Sequence, residues 1–273
     1  MSEMINQQPL ISVIMGVYNC ETTVASAIES IMAQTYTNWK FIICDDGSKD
    51  STLNIVKTYA NTDKRIVVIK NEKNMRLAYT LNHCLKYAEG KYVARMDADD
   101  ISLPERLEKQ VDFLEKHTEY DVVGSARIVF DEDGEKGIRK GPKIPTKEYM
   151  LLDSPFGHPT IMMKKNVYDD LNGYTFSKAT MRAEDLDLWF RFFSKGYKGY
   201  NLSDALLKYH ESKNDLRKRN LKAALETSKV YFHGYGLIGI PWYKYIFGLK
   251  PVLSAIIPKN IMYKFQRSKL MKA

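Results

Sequence analysis

Three carboxylates fall within four residues, at Asp97, Asp99 and Asp100, directly after the largely apolar stretch 92–96. Like charges at this spacing repel one another and resist burial, so a group of opposite charge must compensate them. Hard divalent cations such as Mg²⁺ and Mn²⁺ accept carboxylate oxygens together with the oxygens of a bound phosphate. On residue types alone, an exposed acidic turn before the helix that Pro104 begins explains the segment equally well.

A second acidic pair, Glu184 and Asp185, immediately precedes a predicted helix over residues 186–193. Repulsion from Glu184 and Asp187 would raise the pKa of Asp185, which suits a general base. The same pair would also interact favourably with the positive end of the helix dipole. Residue types alone favour this second interpretation.

The first hundred residues alternate apolar strands with helical patterns. The predicted strands are 10–17, 41–44, 66–69 and 92–96, and the predicted helices are 21–34, 51–59 and 75–88. This alternation predicts a parallel sheet with helices on both faces, in which ligands bind at the carboxyl ends of the strands. Polar clusters follow three of these ends, at Tyr18, at 45–48 and at 97–100, so the sequence predicts a nucleotide pocket there.

Past residue 100 the pattern becomes less regular. A helix with Leu107, Val111 and Leu114 on one face follows Pro104, and 121–130 is a predicted strand. Residues 131–134 form an acidic turn. Earlier in the chain, we expect Asp45 to order the turn at Gly47.

The charge is distributed unevenly along the chain. Residues 213–273 contain 13 Lys and Arg against 2 acidic residues, whereas residues 1–212 contain 28 basic against 31 acidic residues. Such asymmetry predicts an anionic partner surface for the C-terminal segment. Three cysteines without metal-site spacing, no signal peptide and no apolar stretch of membrane-spanning length lead us to expect a cytoplasmic protein.

Several short segments, in their order along the chain, resemble the inverting glycosyltransferases of family two. They are 11–19 (ISVIMGVYN), 44–50 (CDDGSKD), 94–100 (ARMDADD) with 104–107 (PERL), 157–160 (GHPT) and 183–189 (AEDLDLW). The resemblance covers about residues 10–212 and implies an α/β GT-A fold, with a mostly parallel Rossmann-like sheet flanked by helices. We therefore expect a catalytic domain over 1–212, with a nucleotide-binding half (1–100) and an acceptor-binding half (101–212), followed by a helical, basic and aromatic C-terminal segment (213–273).

The resemblance also implies roles for individual residues. Asp185 would be the catalytic base with Glu184 beside it, Asp99 the ligand of a Mn²⁺ or Mg²⁺ ion, and His210 a further metal ligand or a diphosphate contact. His158 would be an acceptor-side residue or a structural one. The residues implied to bind the nucleotide-sugar are Val17, Tyr18 (against the base), Asn19, Asp46 (to the base N–H), Arg76, Asp97 (near the ribose or the metal shell), Ala98 and Lys208.

Three positions depart from the family pattern. Gly16 replaces a Pro before the Tyr-Asn pair, and Arg76 replaces the Gly of an Asn-x-Gly-Leu-Ala segment. Lys208 replaces an Arg, so a point charge stands where a bidentate fork is usual. None of these changes removes a proposed catalytic group.

The C-terminal segment has two interpretations. Aromatic and apolar residues over 231–257 are interleaved with lysines, and 259–272 is basic and amphipathic, which favours an interfacial helix on anionic lipid. The alternative is a basic tail that packs on the catalytic domain. Nucleic-acid binding is not predicted, because the segment contains no recognised nucleic-acid motif.

The predicted function is an inverting, metal-dependent glycosyltransferase. It would move a sugar from a nucleotide-diphospho-sugar, with UDP as the expected nucleotide, to a glycan or lipid-linked acceptor in cell-surface polysaccharide synthesis. Its expected location is the cytoplasm, peripheral on the inner face of the cell membrane. The alternatives are a sugar-nucleotide nucleotidyltransferase and a non-catalytic nucleotide-binding protein. The sequence lacks the Gly-rich triphosphate loop expected of the first class. A dehydrogenase is excluded, because no Gly-x-Gly-x-x-Gly follows the first strand.

Overall fold

A computed structural model describes residues 8–181, 183–211, 220–268 and 270–271. The first seven residues of the predicted C-terminal segment, 213–219, lie outside this range. These residues include four basic side chains, which are known from the sequence alone: Lys213, Arg217, Lys218 and Arg219.

The first half of the chain forms a parallel sheet. Its elements are β1 (Ile11–Val17), α1 (Val24–Met32), β2 (Trp39–Asp45), α2 (Thr52–Thr62), β3 (Ile66–Lys70), α3 (Leu77–Leu85) and β4 (Tyr92–Arg95). The strands lie in the order β3-β2-β1-β4, all parallel, and β1, β2 and β4 are almost entirely buried. Strands covered on both faces are encoded as continuous apolar runs, which is why the sequence predicted them.

The second half extends the same sheet with mixed pairing. Its elements are β5 (Ile101–Ser102), α4 (Arg106–Lys116), β6 (Val122–Asp131), β7 (Gly134–Arg139), 3₁₀ helices at Lys147–Leu151 and His158–Thr160, β8 (Met162–Lys164), α5 (Lys165–Asp170), α6 (Glu184–Ser194) and β9 (Gly199–His210). β8 is antiparallel to both β4 and β6, β9 is parallel to β6, and β5 is antiparallel to β9. The α/β fold is confirmed, with the parallel arrangement concentrated in the first four strands.

The C-terminal segment begins by packing onto the catalytic domain. It contains α7 (Leu221–Leu237), a 3₁₀ helix at Trp242–Leu249, α8 (Lys250–Ile256) and α9 (Lys259–Ser268). The ring of Tyr235 lies 5.7 Å from that of Phe190 in α6, and a Cβ added to Gly234 would come within 2.1 Å of the Phe190 ring. α7 thus shares an apolar core with α6.

The end of the chain docks on the β6–β7 hairpin. Arg267 of α9 pairs with the buried carboxylate of Asp131 at 2.9 Å, and Met271 forms a backbone bridge with Ile138. Between these anchors, Trp242, Ile246 and Ile256 remain 83%, 68% and 70% exposed. No helix among the described residues is long and apolar enough to cross a membrane.

Candidate functional site

A cleft of about 370 Å³ opens where β1 and β2 end and α3 begins, within the size range of small-molecule sites. Its walls include five residues predicted to belong to the site. The lining residues are Gly16, Val17, Tyr18, Asp46, Asn74, Arg76, Leu77, Ala78, Thr80, Phe176, Ser177, Thr180, Met181 and Glu184. The structure therefore brings Val17, Tyr18, Asp46, Arg76 and Glu184 to one cleft.

The buried carboxylate of Asp46 holds the turn that precedes α3. It accepts hydrogen bonds from the backbone N–H groups of Met75 and Arg76, at 2.7 and 2.9 Å, and from Nδ2 of Asn71 at 2.8 Å. Both carboxylate oxygens are therefore engaged in shaping the cleft wall. The predicted bond from Asp46 to a nucleotide base stays a prediction.

Arg76 occupies a backbone conformation that favours glycine, with φ of +73° and ψ of 164°. Such a conformation costs a residue with a Cβ about 1–3 kcal/mol. The resemblance noted above implies glycine at this position. Arg76 therefore carries backbone strain, and its side chain lies on the cleft wall.

The loops after β1 and β2 are tied to each other. Asn19 donates its backbone N–H to Oγ of Ser48 at 3.1 Å, and its Oδ1 accepts from the N–H of Lys49 at 2.8 Å. The buried Asp45 carboxylate accepts from the N–H groups of Gly47 and Ser48, which confirms the expectation that it orders the turn. Asn19 is not part of the cleft wall in the structure and supports the adjacent Tyr18 instead.

The acidic turn after β4 separates into residues with different partners. Asp97 pairs with the buried guanidinium of Arg95, accepting from its Nε at 3.0 Å. Asp100 is buried, and its Oδ1 accepts from the backbone N–H of His210 at 2.9 Å, which ties the end of β9 to the turn. Burial and then the charges of Asp97 and Asp99 raise the pKa of Asp100 well above its ordinary range.

Asp99 and His210 face each other across this turn, with 3.6 Å between Oδ2 and Nδ1. Burial, and secondarily Asp97, raise the pKa of Asp99, so the site disfavours uncompensated negative charge. Oδ2 of Asp100, also buried, has no hydrogen-bond partner among the described residues. These oxygen and imidazole donors fit a divalent cation.

The protein alone supplies few ligands to such an ion. In the described part of the chain, no group of three or more His, Cys, Asp or Glu residues is placed to hold a metal. Mg²⁺ in proteins is commonly held by one or two carboxylates together with substrate phosphates. Asp99 and His210 therefore suit an ion whose coordination a bound diphosphate completes.

Three further predicted donor-binding residues, Asp97, Ala98 and Lys208, lie outside the cleft wall. Nζ of Lys208 is 2.7 Å from Oε1 of Glu135 in the β6–β7 hairpin, and Ala98 packs partly buried against the apolar core. The ion pair with Glu135 arises from strand register across β6, which the sequence pattern did not reveal.

Glu184 and Asp185 form the first turn of α6. Glu184 lines the cleft and Asp185 does not, although both are partly exposed. Burial and then the charge of Asp185 raise the pKa of Glu184 to about 6. Burial also raises the pKa of Asp185, whose Oδ1 accepts from the N–H of Leu186 at 2.7 Å.

The expectation that Asp187 raises the pKa of Asp185 was wrong. The Asp187 carboxylate is nearly buried, lies 2.8 Å from Nε of Arg191 and accepts from Oγ1 of Thr175 at 2.6 Å. Arg191 compensates the charge of Asp187. The leading cause of the raised pKa of Asp185 is its own burial. Arg191 also donates to the carbonyls of Leu171 and Gly173, so the pair fixes the loop beside the cleft.

His158 is enclosed by aromatic rings. Its Nε2 is 2.9 Å from the hydroxyl of Tyr174, and its ring contacts that of Trp189 edge-on at 5.5 Å. Burial, with a smaller effect of Arg95, lowers its pKa well below the usual value, so the imidazole is neutral. These contacts support the structural alternative for His158.

Sequence reasoning missed two parts of the site. The far wall of the cleft comes from the loop between α5 and α6, which contains Phe176 and Met181 and has no periodic pattern. Tyr231 of α7 was also missed: burial raises its pKa, and the carboxylates of Asp153 and Asp185 add to the shift. The i, i+4 spacing of Tyr231 and Tyr235 was the available signal that this face of α7 packs inward.

Comparisons with known proteins agree with this architecture. The model of the family "Glycosyl transferase family 2" matches residues 12–187. The chain is 45% identical over 267 residues to "Putative glycosyltransferase EpsE" of Bacillus subtilis, covering 97% of this chain and 96% of that protein. It is 32% identical over 180 residues to the Escherichia coli "UDP-Glc:alpha-D-GlcNAc-diphosphoundecaprenol beta-1,3-glucosyltransferase WfgD", covering 66% and 68% of the two chains.

The fold is also found among solved structures. S. aureus TarS 1–349 in complex with UDP-GlcNAc aligns with a TM-score of 0.67 and 18% identity, covering 90% of this chain and 81% of that chain. The matched segment contains the cleft and the acidic turn. The chain belongs to glycosyltransferase family 2 and is a glycosyltransferase with the GT-A fold.

Proposed function

We propose that this enzyme transfers a sugar from a UDP-sugar to a lipid-linked acceptor, with inversion at the anomeric carbon, in cell-surface polysaccharide synthesis. The observation that carries the proposal is one cleft that joins Tyr18, Asp46 and Arg76 at the strand ends to Glu184 at the start of α6. The names of WfgD, a UDP-glucose transferase acting on a diphosphoundecaprenol acceptor, and of TarS bound to UDP-GlcNAc support the donor and acceptor classes.

In this mechanism the donor's nucleotide lies against Tyr18, and its sugar points toward α6. Asp185 takes the proton of the acceptor hydroxyl, whose oxygen bonds to the anomeric carbon as the bond to the diphosphate oxygen breaks. The bonding electrons leave with the diphosphate of UDP, and a single displacement inverts the configuration. Burial of Asp185 supports this role, because it makes the carboxylate more basic than an exposed one.

The departing diphosphate requires compensation of its growing charge. Asp99 and His210 would hold a Mn²⁺ or Mg²⁺ ion, which would neutralise that charge when bound. Arg76, exposed on the cleft wall, is placed to add a positive charge on the donor side.

The C-terminal segment would bring the site to its acceptor. Exposed aromatic and aliphatic side chains from Trp242 to Phe265, with the exposed Lys264 among them, suit peripheral binding at an anionic membrane surface. The inner face of the cell membrane is the location at which a cytoplasmic UDP-sugar and a lipid-linked acceptor meet.

A panel of nucleotide-sugars tests the proposed function. Purified protein is mixed with each donor, Mn²⁺ and a short-chain lipid-diphosphate glycoside, and the release of nucleoside diphosphate and the glycosylated product are measured. We expect product from at least one UDP-sugar. Binding of nucleotide without turnover of any donor would support the non-catalytic alternative, and release of inorganic pyrophosphate from UTP and a sugar phosphate would support a nucleotidyltransferase.

A further inference from the structure

Arg127 of β6 is a cation that forms no ion pair with any carboxylate of the described residues. Its Nε is fully buried and unbonded, and the side chain donates no hydrogen bond within the described residues. Burial lowers its pKa, but a guanidinium remains charged at neutral pH. The buried arginines Arg95 and Arg106, by contrast, are bonded to the Asp97 carboxylate and to backbone carbonyls.

The charges around Arg127 are mixed: Arg139 opposes its positive charge, whereas Tyr209, Asp153 and Glu211 favour it. The neighbouring Arg139 is itself positive, and the nearby Glu211 is already bonded to Arg139 at 2.6 Å. The Asp153 carboxylate accepts from the N–H of Ser154. A partly buried guanidinium in this position favours an incoming anion.

The guanidinium is held in place by packing. It lies over the ring of Tyr209, with 5.3 Å from Cζ to the ring centroid, and against the Cα of Gly157. A Cβ at position 157 would come within 2.1 Å of Nη1, so the glycine provides the space that the guanidinium occupies. Planar geometry and a fixed position suit a bidentate contact with phosphate.

Arg127 belongs to the half of the chain, residues 101–212, that the sequence predicts to bind the acceptor. It does not line the donor cleft. Gly157 precedes His158, whose ring packs on Trp189, one helical turn after Asp185 in α6.

We propose that Arg127 binds a phosphate of the acceptor, in the diphosphate that joins the acceptor sugar to its lipid. The inference rests on the proposed function, which supplies the acceptor class. The donor's diphosphate offers the same chemistry, but the absence of Arg127 from the donor cleft favours the acceptor's.

The test compares two acceptors that differ only in the diphosphate: an alkyl glycoside and the same glycoside attached through a diphosphate to the alkyl chain. For Arg127→Gln we expect the KM for the diphosphate acceptor to rise about 10- to 100-fold, as for loss of charge-assisted hydrogen bonds. The KM for the plain glycoside and for the UDP-sugar should stay within about twofold, and Arg127→Lys should be intermediate.

Two further variants separate this role from a structural one. Gly157→Ala keeps the arginine and displaces its guanidinium, so it should reproduce the selective loss for the diphosphate acceptor. Arg65→Gln removes a surface arginine paired with Asp63 and should leave both acceptors unchanged. An equal loss for both acceptors would overturn the proposal, and a rise confined to the UDP-sugar KM would assign Arg127 to the donor's diphosphate instead.

A binding measurement keeps the inference testable if no transfer is found. Farnesyl diphosphate is titrated calorimetrically into wild type and Arg127→Gln, both saturated with UDP so that the donor site is occupied. We expect binding at least about tenfold weaker in the variant. Equal binding by the two proteins, or none by wild type, would overturn the proposal, whereas absence of transfer with a clear difference in binding would count against the proposed function alone.

Discussion

The carboxylate of Asp46 accepts the backbone N–H of Arg76 at 2.9 Å and so holds an arginine in a conformation that favours glycine. The bond links the end of β2 to the start of α3, and both residues line the donor cleft. Strain at Arg76 is therefore opposed by a buried carboxylate that accepts three hydrogen bonds, and the cleft wall gains a positive charge.

Replacing Arg76 by glycine should separate stability from function. Relief of strain favours the variant by about 1–3 kcal/mol, and the greater freedom of glycine in the unfolded chain offsets about 0.5–1 kcal/mol of that. We expect a free energy of unfolding in urea that is unchanged or higher, together with a KM for the UDP-sugar raised about tenfold. A variant that is less stable and binds donor normally would show that Arg76 is structural.

Asp46→Asn should destabilise the protein. An amide nitrogen in place of Oδ2 would face the N–H of Arg76, which loses one hydrogen bond. The flipped amide would face the two donors that Oδ1 serves and would lose two. An unsatisfied buried group costs about 1–3 kcal/mol. Urea unfolding measures this cost, and the exposed Asp204→Asn, whose carboxylate pairs with Lys109 at the surface, is the control expected to change stability by less than about 1 kcal/mol.

The ion pair between Asp187 and Arg191 should matter far more than an exposed pair of the same spacing. Asp187→Ala removes the bonds from Thr175 and Arg191 and leaves the guanidinium uncompensated, at a cost of about 3 kcal/mol. Asp112→Ala breaks an exposed i, i+4 pair with Lys116 and should cost about 0.5 kcal/mol. Similar losses of stability in the two variants would contradict the importance assigned to the α6 loop anchor.

The pH dependence of transfer follows from the buried acidic pair. A carboxylate base acts in its ionised form, so activity is lost as pH falls through its raised pKa. Because burial raises the pKa of Asp185 above its usual value, we expect the acid limb of kcat/KM to lie above the pH at which an ordinary Asp titrates, about 4. Glu184→Gln should move this limb to lower pH, and a wild-type limb at an ordinary carboxyl pKa, about 4, would contradict this account.

Membrane binding should depend on the exposed side chains of the C-terminal segment. Trp242→Ala combined with Ile256→Ser should weaken binding to vesicles containing anionic lipid by at least about tenfold, since burying either side chain fully is worth about 1.5–3 kcal/mol. Ile144→Ser, an exposed apolar residue outside the segment, is the matched control. Wild-type protein that fails to sediment with such vesicles would show that the segment only packs on the catalytic domain.

The parts of the fold that sequence could predict are those encoded locally. β1 to β4 are continuous apolar runs between amphipathic helices. Tyr18 and Asp46 follow the carboxyl ends of β1 and β2 and line the cleft, as the sequence predicted. The sheet beyond β4 was less accessible, because β5 has two residues and β8 has three, and both are defined by long-range pairing.

The remaining details of the site depend on packing between distant segments. The pairing of Lys208 with Glu135 follows from strand register. The i, i+4 spacing of Asp187 and Arg191 is visible in the sequence, but the hydrogen bond from Thr175 to Asp187 is not. Arg127 is conspicuous only because three-dimensional packing leaves it without an ion pair among the described residues. No spacing rule in one sequence contains that information.

The central claim, that Asp185 is the base of a UDP-sugar transferase, is tested most directly by Asp185→Asn. We predict that transfer from the UDP-sugar falls by about 10²–10⁴-fold, the usual contribution of general base catalysis, while the Kd for UDP stays within about twofold of wild type. Transfer at the wild-type rate by a folded Asp185→Asn protein would contradict the claim.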